Sequence, residues 1–226
     1  SSAVPAQIKE GNMTTLYGYF RSSAAYRVRI ALNLKGLEYD QIPVNLVKGE
    51  QRGGEHLARN PQGLVPSLVL DDSSVVNQSL AICEYLDEVH PEPALLPINA
   101  LERARVRALA QSVACEIHPL NNLRVLKYLV REMGADEAAK LAWYHHWIAE
   151  GFTALEATLS NAPCSGDFCH GDTPTLADIC LIPQVYNAER FECDLSAYPT
   201  TQRIVANCRS LPAFEKAAPA AQPDAS

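Results

Sequence analysis

The sequence predicts an α/β unit followed by an all-helical unit. Three observations carry that expectation. Between residues 15 and 90, short apolar runs alternate with helical stretches in the order strand, helix, strand, short helix, strand, strand, helix. A proline-rich segment follows, His90-Pro91-Glu92-Pro93-Ala94-Leu95-Leu96-Pro97, of the kind that joins two units. From residue 101 to 218, apolar residues recur at three- and four-residue spacing and no strand stands out. The domains expected are therefore 13–91 and 100–219. Residues 1–12 are polar and lack a signal-peptide core, so they read as an extension or tag ahead of Met13.

The first strand is expected at residues 15–19 and the first helix at 24–34, stopped by Lys35-Gly36. Residues 38–44 read as a second strand, parallel to the first across that helix in a right-handed βαβ unit. A glycine-bearing polar stretch, 48–54, leads to a short helix at 55–59 and a turn, Asn60-Pro61-Gln62-Gly63. Residues 64–70 form the next strand, with Pro66 at its entry because proline cannot donate to a ladder. Asp71-Asp72-Ser73-Ser74 turns the chain into a short partner strand at 75–77. An amphipathic helix then starts near residue 80 with Ser79 as its N-cap and ends near His90.

In the second unit, helices are expected at 101–117, 121–133 and 136–159, broken at His118-Pro119 and at Gly134. Thr175 and Asp178 stand in the spacing of a capping box ahead of a very apolar helix, 176–185. Tyr198-Pro199 and Pro212 bracket one more helix, and residues 218–226 read as a loose tail.

A formal charge of −7 and a pI of about 5.4 argue against nucleic acid or an anionic membrane as partner. No apolar run approaches the ~18 residues of a membrane helix. The seven cysteines are odd in number and scattered, unlike a disulfide framework, which points to a cytoplasmic location. Cys164, Cys169 and His170 lack a second ligand pair at suitable spacing, so no metal is expected.

The chemistry concentrates in residues 19–32. A strand end runs through Arg21-Ser22-Ser23 into a helix start, where unpaired N–H groups and a partial positive charge suit an anion. Arg21, Arg27 and Arg29 add full charges there. Local sequence leaves two readings for Ser22, a plain N-cap or a donor to a thiolate or carboxylate.

Ser22-Ser23-Ala24-Ala25-Tyr26-Arg27-Val28-Arg29 resembles the Ser-Ser-Cys-x-Trp-Arg-Val-Arg signature of the zeta-class glutathione transferases. Further matches are Asn60-Pro61, Val65-Pro66, Gln78-Ser79-Leu80-Ala81-Ile82, His118-Pro119-Leu120-Asn121-Asn122, Gly171-Asp172, Pro183-Gln184-Val185 and Asn187-Ala188-Glu189-Arg190-Phe191. The resemblance runs from about Leu16 to the tail. It implies a thioredoxin-like N-terminal domain followed by an all-α domain, glutathione as cofactor and a homodimer. Two positions depart from the signature: Ala24 stands for its cysteine and Tyr26 for its tryptophan. Ala24 disfavours chemistry through an enzyme–glutathione disulfide.

The class includes maleylacetoacetate and maleylpyruvate isomerases, so the activity implied is cis–trans isomerisation of a small anionic cis-butenoate by reversible thiolate addition to its double bond. Maleylacetoacetate, in tyrosine breakdown, is the first substrate expected and maleylpyruvate the second. A transferase acting on α-haloacids and a non-catalytic binding protein are the other readings. By resemblance, Ser22, with Ser23 beside it, serves the sulfur of glutathione, and Val65, before a cis Pro66, pairs with its backbone. Gln78 and Ser79 hold the γ-glutamyl carboxylate, and Gln62, His118 and Asn122 complete the glutathione site. Arg21, Arg124, Arg190 and His118 face the substrate, with Arg190 also placed in the chemistry. For His118, the residue itself equally supports a plain helix end before Pro119.

Overall fold

The computed structural model describes residues 14–225; Met13 and the expected extension at 1–12 lie outside the described residues. Strands β1 (Thr15–Gly18), β2 (Asp40–Pro43), β3 (Ser67–Val69) and β4 (Val75–Asn77) form one sheet in the order β2-β1-β3-β4. β2 runs parallel to β1, as expected from the helix between them, and β3 and β4 are antiparallel. The register sets Leu16 against Leu68, both fully buried, so one sheet face is core. Burying such a side chain stabilises by roughly 1.5–3 kcal/mol. The strand expected at 64–70 is shorter, because Pro66 cannot join the ladder.

Helix α1 (Ser23–Leu34) packs against α3 (Ser79–Val89) and against two helices of the second half, α7 (Leu176–Arg190) and α9 (Pro212–Ala217). This corrects the charge reading of its arginines. Arg27 and Arg29 are buried inside the protein and lie away from the turn. Arg29 donates to the carbonyls of Ala217 and Phe20 at 2.9 and 3.0 Å. Residues 54–59 form the short helix α2 (Gly54–Arg59).

The helical half begins with α4 (Ala100–Gln111), which passes into a π-helical turn, Ser112–Ile117, in place of the single helix expected over 101–117. Helix α5 (Leu123–Arg131) and the long α6 (Glu137–Ser160) follow. α6 crosses the π turn at Gly151, where a Cβ would lie 2.2 Å from Ile117 Cδ1. The capping box forms: Asp178 accepts from the Thr175 N–H at 2.8 Å and its hydroxyl at 3.0 Å. It also accepts from the Cys169 N–H at 2.9 Å, which ties the preceding loop to α7. α7 continues five residues past the apolar stretch, to Arg190.

Beyond α8 (Pro199–Arg209), the chain does not trail off as expected. Residues Pro219–Ala221 form a 3-10 turn, Gln222 is buried, and Asp224 accepts from the Phe20 N–H at 3.1 Å. The C-terminus thus closes onto the turn before α1. Among the described residues, no helix is long and apolar enough to cross a membrane.

Candidate active site

Ser22 is the N-cap of α1, with φ −66° and ψ 118°. Its Oγ accepts from the Ala25 N–H at 3.2 Å. Both readings of the residue are therefore compatible: the cap uses a lone pair and leaves the hydroxyl proton to be donated outward. The first turn of α1 carries no acidic side chain, so its positive end is not neutralised from within. Ser23 is buried and its Oγ accepts from Asn187 Nδ2 on α7.

Ser22, Ser23 and Ala24 open onto a cleft of about 580 Å³ between the sheet-bearing half and helices α5 and α7. Arg21, Val65, His118, Asn122, Arg124 and Arg190 line it too. These residues, far apart in sequence, come together around one space. Among the described residues, basic side chains dominate its charge: Arg21, Arg52, Arg124, Lys127, Arg131 and Arg190 against one carboxylate, Glu132. In a chain of net charge −7, that local excess marks a site for anions.

The arginines are exposed, and two of them, Arg21 and Arg190, are braced on aromatic rings. The Arg21 guanidinium lies 4.8 Å from the Phe20 ring centroid and that of Arg190 4.9 Å from Phe191. Phe191 in turn stacks on Tyr144 at 3.9 Å. Among the described residues, none of Arg21, Arg124 and Arg190 pairs with a carboxylate. His118 ends the π turn at the wall of the cleft. Burial above all, then Arg27 and Arg124, push its pKa down to about 3, so it stands as a neutral imidazole. Asn122 caps α5 by accepting from the Arg124 N–H at 3.1 Å.

Gln62, Pro66, Gln78 and Ser79 do not line this space. Gln62 and Pro66 adjoin the lining residues Gly63 and Val65 in the chain. The Val65–Pro66 bond is cis. Gln78 Nε2 donates to Gln62 Oε1 at 2.7 Å. The N-cap of α3 is Gln78, in the left-handed region at φ 73°, and not Ser79 as expected; Ser79 is the first helical residue. Its Oγ accepts from Arg27 at 3.2 Å.

Sequence reasoning missed Asn187, Lys127, Tyr128 and Arg131. A signal existed for three of them: with Arg124 they fall at the 0, 3, 4 and 7 positions of one helix face. The two departures from the signature also separate. Ala24 lies at the cleft, where no cysteine replaces it. Tyr26 is buried against Tyr186, edge to face at 6.3 Å, and belongs to the core.

Residues 21–89 match the family model described as "Glutathione S-transferase, N-terminal domain". The chain is 53% identical over 212 residues to the probable maleylacetoacetate isomerase of Vibrio cholerae, spanning 93% of this chain and 97% of that one. A holo structure of maleyl pyruvate isomerase, a bacterial zeta-class glutathione-S-transferase, superposes with a TM-score of 0.91 at 51% identity, over 94% of this chain and 100% of that one. Maleylacetoacetate isomerase of Methylobacterium extorquens AM1, with bound malonate and glutathione, gives 0.91 at 42% identity, over 94% and 99%.

Proposed function

The chain belongs to the zeta class of the glutathione S-transferases, and from that premise we propose that it is a glutathione-dependent maleylacetoacetate isomerase. Its fold is of that kind, a thioredoxin-like α/β unit followed by helices. The observation that carries the reading is the convergence of Ser22, at the unneutralised start of α1, with Arg21, Arg124 and Arg190 in one basic cleft. A relative with malonate and glutathione together supports a site that takes a small dicarboxylate beside the tripeptide.

The residues present fit glutathione. An outward hydroxyl at a helix start suits a sulfur anion, and a second helix start at Ser79 suits a carboxylate. When bound, glutathione supplies the thiolate that adds reversibly to the substrate double bond. Ser22 donates to that sulfur and, with the α1 terminus, lowers a thiol pKa that is otherwise about 8.5. Ser23, fixed by Asn187, orders the turn around it. The Val65 backbone, Pro66, Gln62, Gln78, Ser79 and Asn122 hold the peptide. Arg21, Arg124 and Arg190 bind the carboxylates through charge-assisted pairs and stabilise negative charge that develops on substrate oxygen. His118, neutral, offers a hydrogen bond without repelling these cations.

Maleylpyruvate is the second reading, favoured by the 51% identity to the maleyl pyruvate isomerase structure. The assay compares maleylacetone and maleylpyruvate turnover with and without glutathione. Turnover with either that requires glutathione supports the proposal, and turnover independent of it rejects the mechanism. Comparable turnover of α-haloacids with none of the maleyl compounds rejects the isomerase reading.

A cytoplasmic homodimer acting in tyrosine degradation completes the proposal. The exposed apolar side chains Val75 on β4, Val89 at the end of α3, and Ile98 and Leu101 around the start of α4 support self-association. Light scattering on the purified protein decides it, and a monomer at micromolar concentration removes the dimer.

A further inference from the structure

Arg27 is 2% exposed, one turn into α1, on the inner side of the glutathione edge. Its Nη1 donates to Ser79 Oγ at 3.2 Å, while Nε and Nη2 find no partner among the described residues. No described carboxylate lies within ion-pair distance of it. A guanidinium stays charged inside proteins, and a buried charge without a counter-ion is costly.

The start of α3 adds to the same imbalance. Its N-cap, Gln78, makes no side-chain cap bond, and the first turn contains no acidic residue. The free amides of that turn and the Arg27 guanidinium therefore meet at Ser79, all positive in character. One anion placed outside Ser79 would answer both. The hydroxyl is already oriented for it. Because Oγ accepts from Arg27, its own proton is free to be donated away from Arg27.

We propose that Arg27 is the positioning residue of the γ-glutamyl carboxylate site: it fixes the Ser79 hydroxyl as an outward donor and supplies the buried positive charge that the bound carboxylate balances. This rests on the reading of Gln78 and Ser79 as the carboxylate site. It goes beyond that reading by assigning the electrostatic work to a residue that does not touch the ligand.

The test is calorimetric binding of glutathione and of 4-aminobutanoyl-cysteinylglycine, which lacks only the γ-glutamyl carboxylate. The unsubstituted protein should prefer glutathione by about 100-fold. Arg27→Met should reduce that preference to below about fivefold, and Arg27→Lys should keep about tenfold, since the charge stays but the fork geometry is lost. The preference is a ratio within one preparation, so partial unfolding does not mimic the effect. Full preference in Arg27→Met alongside a lost preference in Ser79→Ala overturns the role of Arg27 and leaves the carboxylate site standing. Absence of preference in the unsubstituted protein rejects the carboxylate site itself. If Arg27→Met does not fold, Arg27→Lys and a salt series on the unsubstituted protein decide. A buried pair keeps its preference between about 0.05 and 0.5 M KCl, and a collapse of preference over that range overturns the proposal.

Discussion

Asn187 Nδ2 donates to Ser23 Oγ, joining α7 of the helical half to the first turn of α1 across 164 residues. The bond makes Ser23 an acceptor and fixes the turn on which Ser22 sits. Asn187→Ala should cost about 1 kcal/mol of stability, the usual worth of such a bond. It should also lower kcat/KM by about tenfold, because a turn displaced by an ångström loses alignment. Asn187→Asp should do more harm, since it sets a carboxylate beside the sulfur site and disfavours the anion there. Steady-state kinetics on the three proteins checks this; equal kcat/KM in all three removes Asn187 from the site.

Ser22→Ala removes the hydroxyl while leaving the helix start. Loss of one donor to a developing anion costs about 10²–10³ in rate, and a fall of that order in kcat is expected. The pH at half-maximal activity should rise toward the free thiol's value of about 8.5. Ala24→Cys should be tolerated, as Ala24 only lines the cleft. A fully active Ser22→Ala would assign the sulfur to another group.

The cations of α5 and α7 are expected to act on the substrate rather than on glutathione. Arg124 and Arg190 are exposed at the cleft and pair with no carboxylate among the described residues, so removing either leaves no described acid orphaned. Arg124→Ala and Arg190→Ala should each raise the KM for the maleyl substrate about tenfold or more, as charge-assisted pairs do. The KM for glutathione should stay within about twofold. Arg190→Lys should recover part of the loss but not the bidentate component. Substrate and glutathione titrations of each variant separate the two; a matched rise in both constants would mean general disruption.

What the sequence disclosed was local. The capping box at Thr175 and Asp178, the serine at the start of α1 and the proline at the entry to β3 are short-range patterns whose physics acts within one turn or strand. Contacts such as Asn187 to Ser23 and Asp224 to Phe20 leave no periodic trace, because they join segments 164 and 204 residues apart. The direction of a charged side chain was hidden for the same reason. Arg27 and Arg29 read as charges at the turn, yet α1 is enclosed by α3, α7 and α9 and both point inward. The basic face of α5 was legible in principle from its spacing, and only Arg124 was drawn from it. Nothing in residues 112–117 distinguishes a π turn from a continued α-helix before the packing of Gly151 on Ile117 is known.

The C-terminus should matter more than a loose tail would. Asp224 satisfies the Phe20 N–H directly before Arg21 and Ser22, and Gln222 donates to the carbonyls of Lys216 and Ala218. Ending the chain after Ala218 should cost about 1–3 kcal/mol, from the unpaired amide and the lost burial. It should also raise the KM for glutathione through the loosened turn. Asp224→Asn, which keeps an acceptor, should retain most of the stability. Urea unfolding of the truncated chain checks this, and an unchanged midpoint would return the segment to the status of a tail.

His118 supplies a pH signature whose sign follows from its environment. Its pKa is about 3 in the folded protein against 6.5 for the free side chain, through burial first and then Arg27 and Arg124. Between those values the unfolded chain binds a proton that the folded chain refuses. Stability contributed at this position is therefore full above about pH 6.5 and declines as the pH falls toward 3. His118→Asn removes the titrating group. The stability difference, unsubstituted minus variant, should thus shrink or reverse on going from about pH 7 to pH 5. Unfolding at one fixed protein concentration keeps any subunit association from entering the comparison. Because the imidazole is neutral throughout the working range, the acid limb of kcat/KM should keep its midpoint in the variant. A difference in stability that grows toward pH 5 would mean that the folded protein protonates His118, and would turn the residue into a cation of the site.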